Sequence, residues 1–408
     1  MFPNFYHFFK DLFGIEIHAF VFINTFGFFV AIAFLVANYV MRLELKRKEE
    51  QGLLVGMPAK QWFGRLPSVT DYITNGALGF VFGWKFLHLF FNAKSFFADP
   101  QSHILSSEGS ILLGVLGAGV AIGLKYLDAK KVSKEYPKPM LKDITIHPYQ
   151  RMANITLIAA VAGLLGAKIF DHMEHWDEFI ANPLNAFLDP FSGLTFYGGL
   201  ICGGAAVLWL AKKYNIGWKH MLDVGGPGMM LSYGIGRIGC HMSGDGDWGQ
   251  VNSLAKPGFL PDWLWAYTYP NNVAGICDAE AHIGCPPGQI PELILPVWPT
   301  PLYEAIMCTG LFFVLWSLRK RITVPGVLFS VYLFLAGFER FWIEKIRVNA
   351  VYKIGGMDIT QAELISVGMM LGAVLLYLYA KKSNKKKPEP EPEPEPEAKV
   401  NDTDVESK

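Results

Sequence analysis

The sequence predicts an all-α fold: a polytopic membrane helix bundle of about nine transmembrane helices, N-terminus outside, C-terminus inside, with a small head on the outer face. Three observations predict it. Of 408 residues, 51% are hydrophobic and only 18% charged, and the mean hydropathy is +0.26, whereas soluble domains carry about 25% charged residues. Windows of about 20 mostly apolar residues, the length that crosses roughly 30 Å of hydrocarbon, recur along the chain. Lys and Arg also alternate between successive loops, as the positive-inside rule requires. The 36 basic and 36 acidic residues cancel, so charge gives no argument for a nucleic-acid partner, and none is expected.

Taken in order, the first 20 residues, MFPNFYHFFKDLFGIEIHAF, lack a basic leading segment and a small-residue cleavage site. They are expected to stay on the protein and not to act as a signal peptide. Spans are expected at 20–41, 74–92, 109–127, 152–170, 194–211, 220–239, 300–317, 324–342 and 362–380. The loop after the first span carries Arg42, Lys46, Arg47, Lys48, Lys60 and Arg65, and the loop after the third carries Lys130, Lys131, Lys134, Lys138 and Lys142. Lys212, Lys213 and Lys219 follow the fifth span, Arg319, Lys320 and Arg321 the seventh, and Lys381, Lys382, Lys385, Lys386 and Lys387 the ninth. These are the inner loops. The loops between them are nearly bare: Lys94 in 93–108, neither Lys nor Arg in 171–193, and Lys256 in 240–299. One outer segment breaks the rule, with Arg340, Lys345, Arg347 and Lys353 after the eighth span. Positive charge on that side demands a local reason.

Self-similarity is visible within the chain. GWKFLHLFF at 83–91, followed by ADP at 98–100, resembles GAKIFDHME at 166–174, followed by ANP at 181–183; GSILLGVLGAG at 109–119 resembles GLTFYGGLICG at 193–203. A duplicated helix pair explains this, against the plainer reading that Gly-rich membrane helices look alike by composition. The stretch 243–298, rich in Gly, Pro and Trp, is too long for a turn and should form the outer head. A disulfide between Cys277 and Cys285 is plausible there if that face is oxidising; a zinc site using His282 fits no familiar spacing. Cys202 and Cys308, within spans, are expected to pack. The segment 381–408, rich in Pro and Glu, cannot bury a core and is read as a disordered inner tail.

Ionisable groups in or at the edge of a span are costly, so each is a site candidate. Three clusters qualify. YGIGRIGCHMSGDGDWGQ, 233–250, offers backbone approach at its glycines and, in Arg237, a fork of donors suited to phosphate; Asp245 and Asp247 follow in a tight turn. ERFWIEKIR, 339–347, spaces Arg340, Glu344 and Arg347 at i, i+4 and i+7, one helix face. SGLTFYGGLICGG, 192–204, brings Tyr197 and paired glycines into the fifth span. Arg340 with Glu344 alone could be a snorkelling ion pair. Together the clusters converge on one leaflet, and two arginines beside Gly-rich backbone suit an anionic phospholipid head group.

These residues resemble a family. The GRIG sequence with a downstream acidic residue and WG, preceded by Asp223 and Pro227, is similar to the signature of prolipoprotein diacylglyceryl transferases, bacterial enzymes that lipidate lipoprotein precursors. PTPLYEA at 299–305, RFWIEKIR at 340–347 and GLTFYGGL at 193–200 resemble three further motifs of that family in the same order, and GAKIFDHMEHWDEF at 166–179 the stretch before them. The resemblance runs from about 20 to 380. Family members have seven spans, so an integral membrane domain, 1–380, is expected to carry 74–130 as an inserted pair.

The resemblance implies transfer of the diacylglyceryl group of phosphatidylglycerol to the lipobox cysteine thiol of a prolipoprotein, forming a thioether and releasing glycerol phosphate. It also implies a monomer in the bacterial inner membrane, working near the periplasmic leaflet on membrane lipid and signal peptide, with no cofactor and no metal. Arg237 and Arg340 match the head-group arginines and are assigned to phosphate binding and leaving-group stabilisation, with Glu344 and Arg347 orienting them. Gly198 and Gly199 would let lipid pass close to backbone, and Tyr303 and Glu304 would join the substrate-binding set. This sequence departs from the family at several positions: Cys240 and Ser243 replace two Asn of the signature, Tyr197 stands where one form has His, Trp298 and Pro301 replace His and Gln, and Phe26 replaces Tyr. The usual base is therefore missing. His241, Asp245 and Asp247 become the candidate proton acceptors, with Tyr197 as a hydrogen-bond partner. A phospholipid-binding relative that has lost catalysis is the alternative reading. A transporter is the third, disfavoured because Arg237, Arg340 and Arg347 map to span ends and not to mid-bilayer.

Overall fold

Helix starts are written into the sequence as polar caps. Asn4 and Asn24 accept the backbone N–H of His7 (3.1 Å) and Gly27 (3.3 Å), opening α1 (Phe5–Phe13) and α2 (Thr25–Glu50). Ser68 and Asp71 form a reciprocal capping box before α3 (Val69–Phe82), and Ser110 caps α4 (Ile111–Glu135). Each satisfies donors that the first helical turn leaves unpaired. Then come α5 (Met152–Glu174), α6 (Trp176–Ala181), α7 (Phe196–Lys213), α8 (Trp218–Ser243), α9 (Thr300–Leu318), α10 (Val327–Ile343) and α11 (Gln361–Lys385). The computed structural model describes residues 1–21, 23–87, 109–181, 195–349, 351–354 and 357–385. The ADP triplet, positions 182 and 183 of the ANP triplet, the far end of the 74–92 window and the tail from 386 lie outside the described residues.

Among the described residues, five helices are long and apolar enough to cross a membrane by length and composition: Thr25–Glu50, Ile111–Glu135, Pro148–Glu174, Thr300–Leu318 and Gln361–Asn384. Their apolar side chains face outward, Leu112, Leu371 and Phe313 among them, a surface that suits lipid and not water. The helix α10 has 17 residues, and α8 is interrupted in composition by Pro227 and by Asp223 and Arg237. The short helix α1 was not among the sequence expectations. Its phenylalanines lie in a network of ring contacts that reaches Phe28 of α2.

The helix α8 is the axis of the bundle, packed against α2, α9 and α10, while α10 carries α11 on its other side. Two further pairs, α3 with α4 and α5 with α7, each close on themselves. Because lipid tails are as apolar as leucine, helices in a membrane associate through close backbone approach at small residues. Both pairs do so at the glycines that the internal repeat aligns. A Cβ on Gly83 would lie 2.1 Å from the Leu113 carbonyl oxygen, and one on Gly166 would lie 2.5 Å from that of Gly198. The chain enters the first pair through β1 (Met57–Phe63) and leaves through β2 (Met140–Ile146), which form an antiparallel ladder with Met57 opposite Ile146. An arm on a two-stranded stalk results.

At the basic end of the bundle, Asp223 accepts the backbone N–H groups of Gly326 (2.8 Å) and Phe329 (2.9 Å), capping α10, with Lys48 at 3.8 Å. Glu44, fully buried, pairs with Arg47 and with Arg319 at 2.9 Å. These partners explain why α2 continues past its apolar window to Glu50. At the other end, the segment after α8 folds as a head around Trp248, Tyr269, Leu293 and Val297. The ribbon of β3 (Ile276–Asp278) and β4 (Ile283–Gly284) is closed by a Cys277–Cys285 disulfide, which leaves no thiolate for a zinc site with His282.

Candidate active site

Three chain segments far apart in sequence meet where α8, α9 and α10 approach the head. The turn after α8 is set by Gly244 and Gly246, whose φ angles of 66° and 101° favour glycine. It is stitched to the other two segments by backbone bonds from Gly249 N–H to the Trp298 carbonyl (2.9 Å) and from Gln250 N–H to the Ile346 carbonyl (2.8 Å). A Cβ on Gly249 would sit 2.4 Å from the Ile346 oxygen, so only glycine allows this junction.

Glu304, on α9 and fully buried, lies at the centre. Its Oε2 is 2.6 Å from Arg237 Nε, and its Oε1 is 3.2 Å from Arg340 Nη1 and 3.5 Å from Arg347 Nη1. Arg237 also donates to Asp247, which takes Arg347 Nη2 at 2.6 Å; Arg340 Nη2 pairs with Glu344 at 2.9 Å. Asn349 donates to the other Glu344 oxygen at 2.6 Å. Burial alone would raise the Asp247 carboxyl, but Arg347 and Arg237 outweigh it and hold it below the usual carboxylate range. Three of the four positive charges that break the loop rule are thereby matched: Arg340 and Arg347 to carboxylates, and Lys345 to Glu363. Since a guanidinium carries five N–H donors, these bonds leave donors free on Arg237 and Arg340.

Both arginines line one cavity of about 390 Å³ between α7, α8, α9, α10 and α11. Tyr197, Tyr233, Cys308 and Glu339 share its wall, and Leu200, Met230, Ile365 and Met369 make the remainder apolar. A pocket with cations at one end and aliphatic walls can take a lipid head group with the start of its acyl chains.

The structure gives the other sequence candidates different places. The helix α10 ends at Ile343, a 3-10 turn follows, and Arg347 is extended. The i, i+4, i+7 reading of one continuous helix face is corrected: Arg340 and Glu344 keep their pairing, and Arg347 reaches Asp247 because the chain turns. Gly198 and Gly199 lie at the crossing with α5, 2.3 Å and 3.3 Å in Cβ terms from the carbonyl oxygens of Gly166 and Gly163; the role visible for them is close helix packing. His241 is outside the cavity wall, its Nδ1 3.1 Å from the Tyr269 hydroxyl. Tyr303 donates to the Leu264 carbonyl at 2.6 Å and borders a separate apolar groove. Asp245 is exposed and accepts the Asp247 N–H at 3.3 Å. Donor atoms of Cys240, Asp245 and Asp247 lie within 4.8 Å of one another, but Asp247 is committed to two arginines, which disfavours a cation there. Sequence reasoning missed Glu339. It opens the ERFWIEKIR segment and was passed over in favour of the spaced triplet.

With this geometry in place, comparison with known proteins gives a consistent result. The model of the prolipoprotein diacylglyceryl transferase family matches residues 114–379. The chain belongs to that family. The match begins inside α4, later than the resemblance read from about residue 20, and it takes in every residue of the arginine cluster. A phosphatidylglycerol–prolipoprotein diacylglyceryl transferase of Clostridium perfringens is 27% identical over 230 residues, 56% of this chain and 78% of the relative. The Enterococcus faecalis enzyme of that name is 27% identical over 229 residues, 54% of this chain and 72% of the relative. The Leptospira interrogans enzyme is 30% identical over 219 residues, covering 48% and 61%.

Proposed function

We propose that this chain transfers the diacylglyceryl group of phosphatidylglycerol to the lipobox cysteine thiol of prolipoproteins, the first step of bacterial lipoprotein maturation. The observation that carries the reading is the cavity wall shared by Arg237 and Arg340, which one buried carboxylate, Glu304, ties together. The glycerol phosphate leaves with negative charge growing on its phosphate oxygens, and preorganised guanidinium donors in a site shielded from water stabilise that charge. Glu304, Glu344, Asp247 and Arg347 fix the two forks in place; Met230, Ile365 and Met369 offer surface to the acyl chains. Phosphatidylglycerol and the signal peptide are the partners, and the working form is a monomer.

The same reading sets the topology. Nine helices cross the inner membrane, with the N-terminus and the head on the periplasmic side and the C-terminal tail from 381 in the cytoplasm. The transferase domain is 1–380, with 74–130 as an inserted pair that copies α5 and α7. The Lys and Arg loop pattern and the matched glycine crossings support this.

The test uses purified full chain in phosphatidylglycerol vesicles with a lipobox peptide. Transfer raises the peptide mass by one diacylglyceryl unit. Arg237→Lys and Arg340→Lys keep the charge but lose the planar fork, and each should slow turnover by about 10²- to 10³-fold. Wild-type protein that binds the lipid and leaves the peptide unmodified would establish the binding-only alternative.

A further inference from the structure

Glu304 and Glu344, both buried, each pair with a guanidinium. Glu339 is buried as well, 5% exposed, yet among the described residues it has no ion pair, and its Oε1 has no hydrogen-bond partner. A carboxyl oxygen withdrawn from water without a partner is costly. Glu339 lines the same cavity as Arg237 and Arg340, so a substrate seated against the two arginines would also meet this side chain. The charged groups that act on it are Glu304 from α9, Arg237 from α8, and Arg340 and Arg347 from its own segment. Cys308, Tyr197, Tyr233 and Tyr332 also line the wall, and α11 contributes the apolar Ala362, Ile365 and Met369.

Resting on the transferase reading above, we propose that Glu339 is the proton acceptor for the thiol of the incoming cysteine. The other candidates are engaged or misplaced. Asp247 is paired with two arginines, Glu304 with three, and Glu344 with Arg340, while Asn349 donates to Glu344. His241 and Asp245 lie outside the cavity wall. Tyr197 carries a phenol, a class of side chain that makes a poor proton acceptor. In the step, the Glu339 carboxylate takes the S–H proton and the sulfur electron pair forms the C–S bond to the terminal glyceryl carbon. The C–O bond from that carbon to the phosphate breaks, and its electron pair leaves on the phosphate oxygen held by Arg237 and Arg340. Glu339 afterwards returns its proton to the departing glycerol phosphate or to water.

The experiment compares wild type, Glu339→Gln and Glu339→Asp in phosphatidylglycerol vesicles, with lipobox peptides carrying either cysteine or selenocysteine. A selenol is already ionised at neutral pH and needs no base. Glu339→Gln should bind phosphatidylglycerol as wild type does and lose roughly 100-fold or more in turnover of the cysteine peptide. It should turn over the selenocysteine peptide within about threefold of wild type, and Glu339→Asp should retain measurable turnover of both. If Glu339→Gln slows both peptides equally, or leaves the cysteine peptide at the wild-type rate, the assignment is overturned. If instead the wild type modifies neither peptide, the transferase reading fails first and takes this assignment with it.

Discussion

Glu304→Gln tests whether one carboxylate organises the site. The substitution keeps the shape of the side chain and removes its charge. Arg237, Arg340 and Arg347 face Glu304, Glu344 and Asp247, three charges against three. Removing one partner of a buried pair costs about 3–5 kcal/mol when the other is left alone. Here no guanidinium is left alone: Arg237 and Arg347 keep Asp247, and Arg340 keeps Glu344. The loss should therefore fall at the low end, about 3 kcal/mol. Two consequences separate stability from chemistry. The cluster gains a net positive charge, so phosphatidylglycerol binding should persist or tighten. The guanidinium forks lose their common anchor, and a misplacement of about 1 Å lowers turnover by roughly 10²-fold. Unfolding in mixed SDS micelles measures the first quantity, and lipidation per folded molecule measures the second. Wild-type values for both would refute the hub; a stability loss with unchanged turnover per folded molecule would show that Glu304 holds the fold alone.

Asp247 has a folded-state pKa below its unfolded value, so its contribution is complete above the usual carboxylate range and is lost as pH falls through the folded value. The melting temperature of wild type should therefore drop more steeply between about pH 5 and 3 than that of Asp247→Asn, and parallel curves would contradict the pairing. Gly166→Ala places a Cβ 2.4 Å from Cys202 Cβ and 2.5 Å from the Gly198 oxygen, which should cost about 1–3 kcal/mol; Gly204→Ala, with nothing within 4 Å, should be silent in the same melting assay. Cys277 and Cys285 close a loop with a sequence separation of 8, so the double substitution to Ser should destabilise the head by about 2.5 kcal/mol, seen as faster proteolysis of 250–298 while the bundle resists.

Why some of this was legible in the sequence and some was not follows from the range of each interaction. Helix positions were readable because an apolar run and a polar cap such as Ser68 or Ser110 act within one turn of the chain. The α5–α7 crossing announced itself through paired glycines: Gly198 approaches Gly166, so its missing side chain serves a neighbouring helix. Arg237 and Arg340 stood out because charge beside a span is rare enough to be noticed. Partner choice was hidden, since nothing local says that Glu304 will meet three arginines from two other segments. That meeting depends on the backbone bonds of Gly249 and Gln250 to positions 298 and 346. Glu339 was overlooked because the spacing that draws attention to Arg340 and Glu344 is a rule about neighbours on one helix, whereas what distinguishes Glu339 from the paired Glu304 and Glu344 is the ion pair it lacks among the described residues. A buried carboxyl without an ion pair leaves no trace in sequence, and such a group is where the proposed base for the thiol is found.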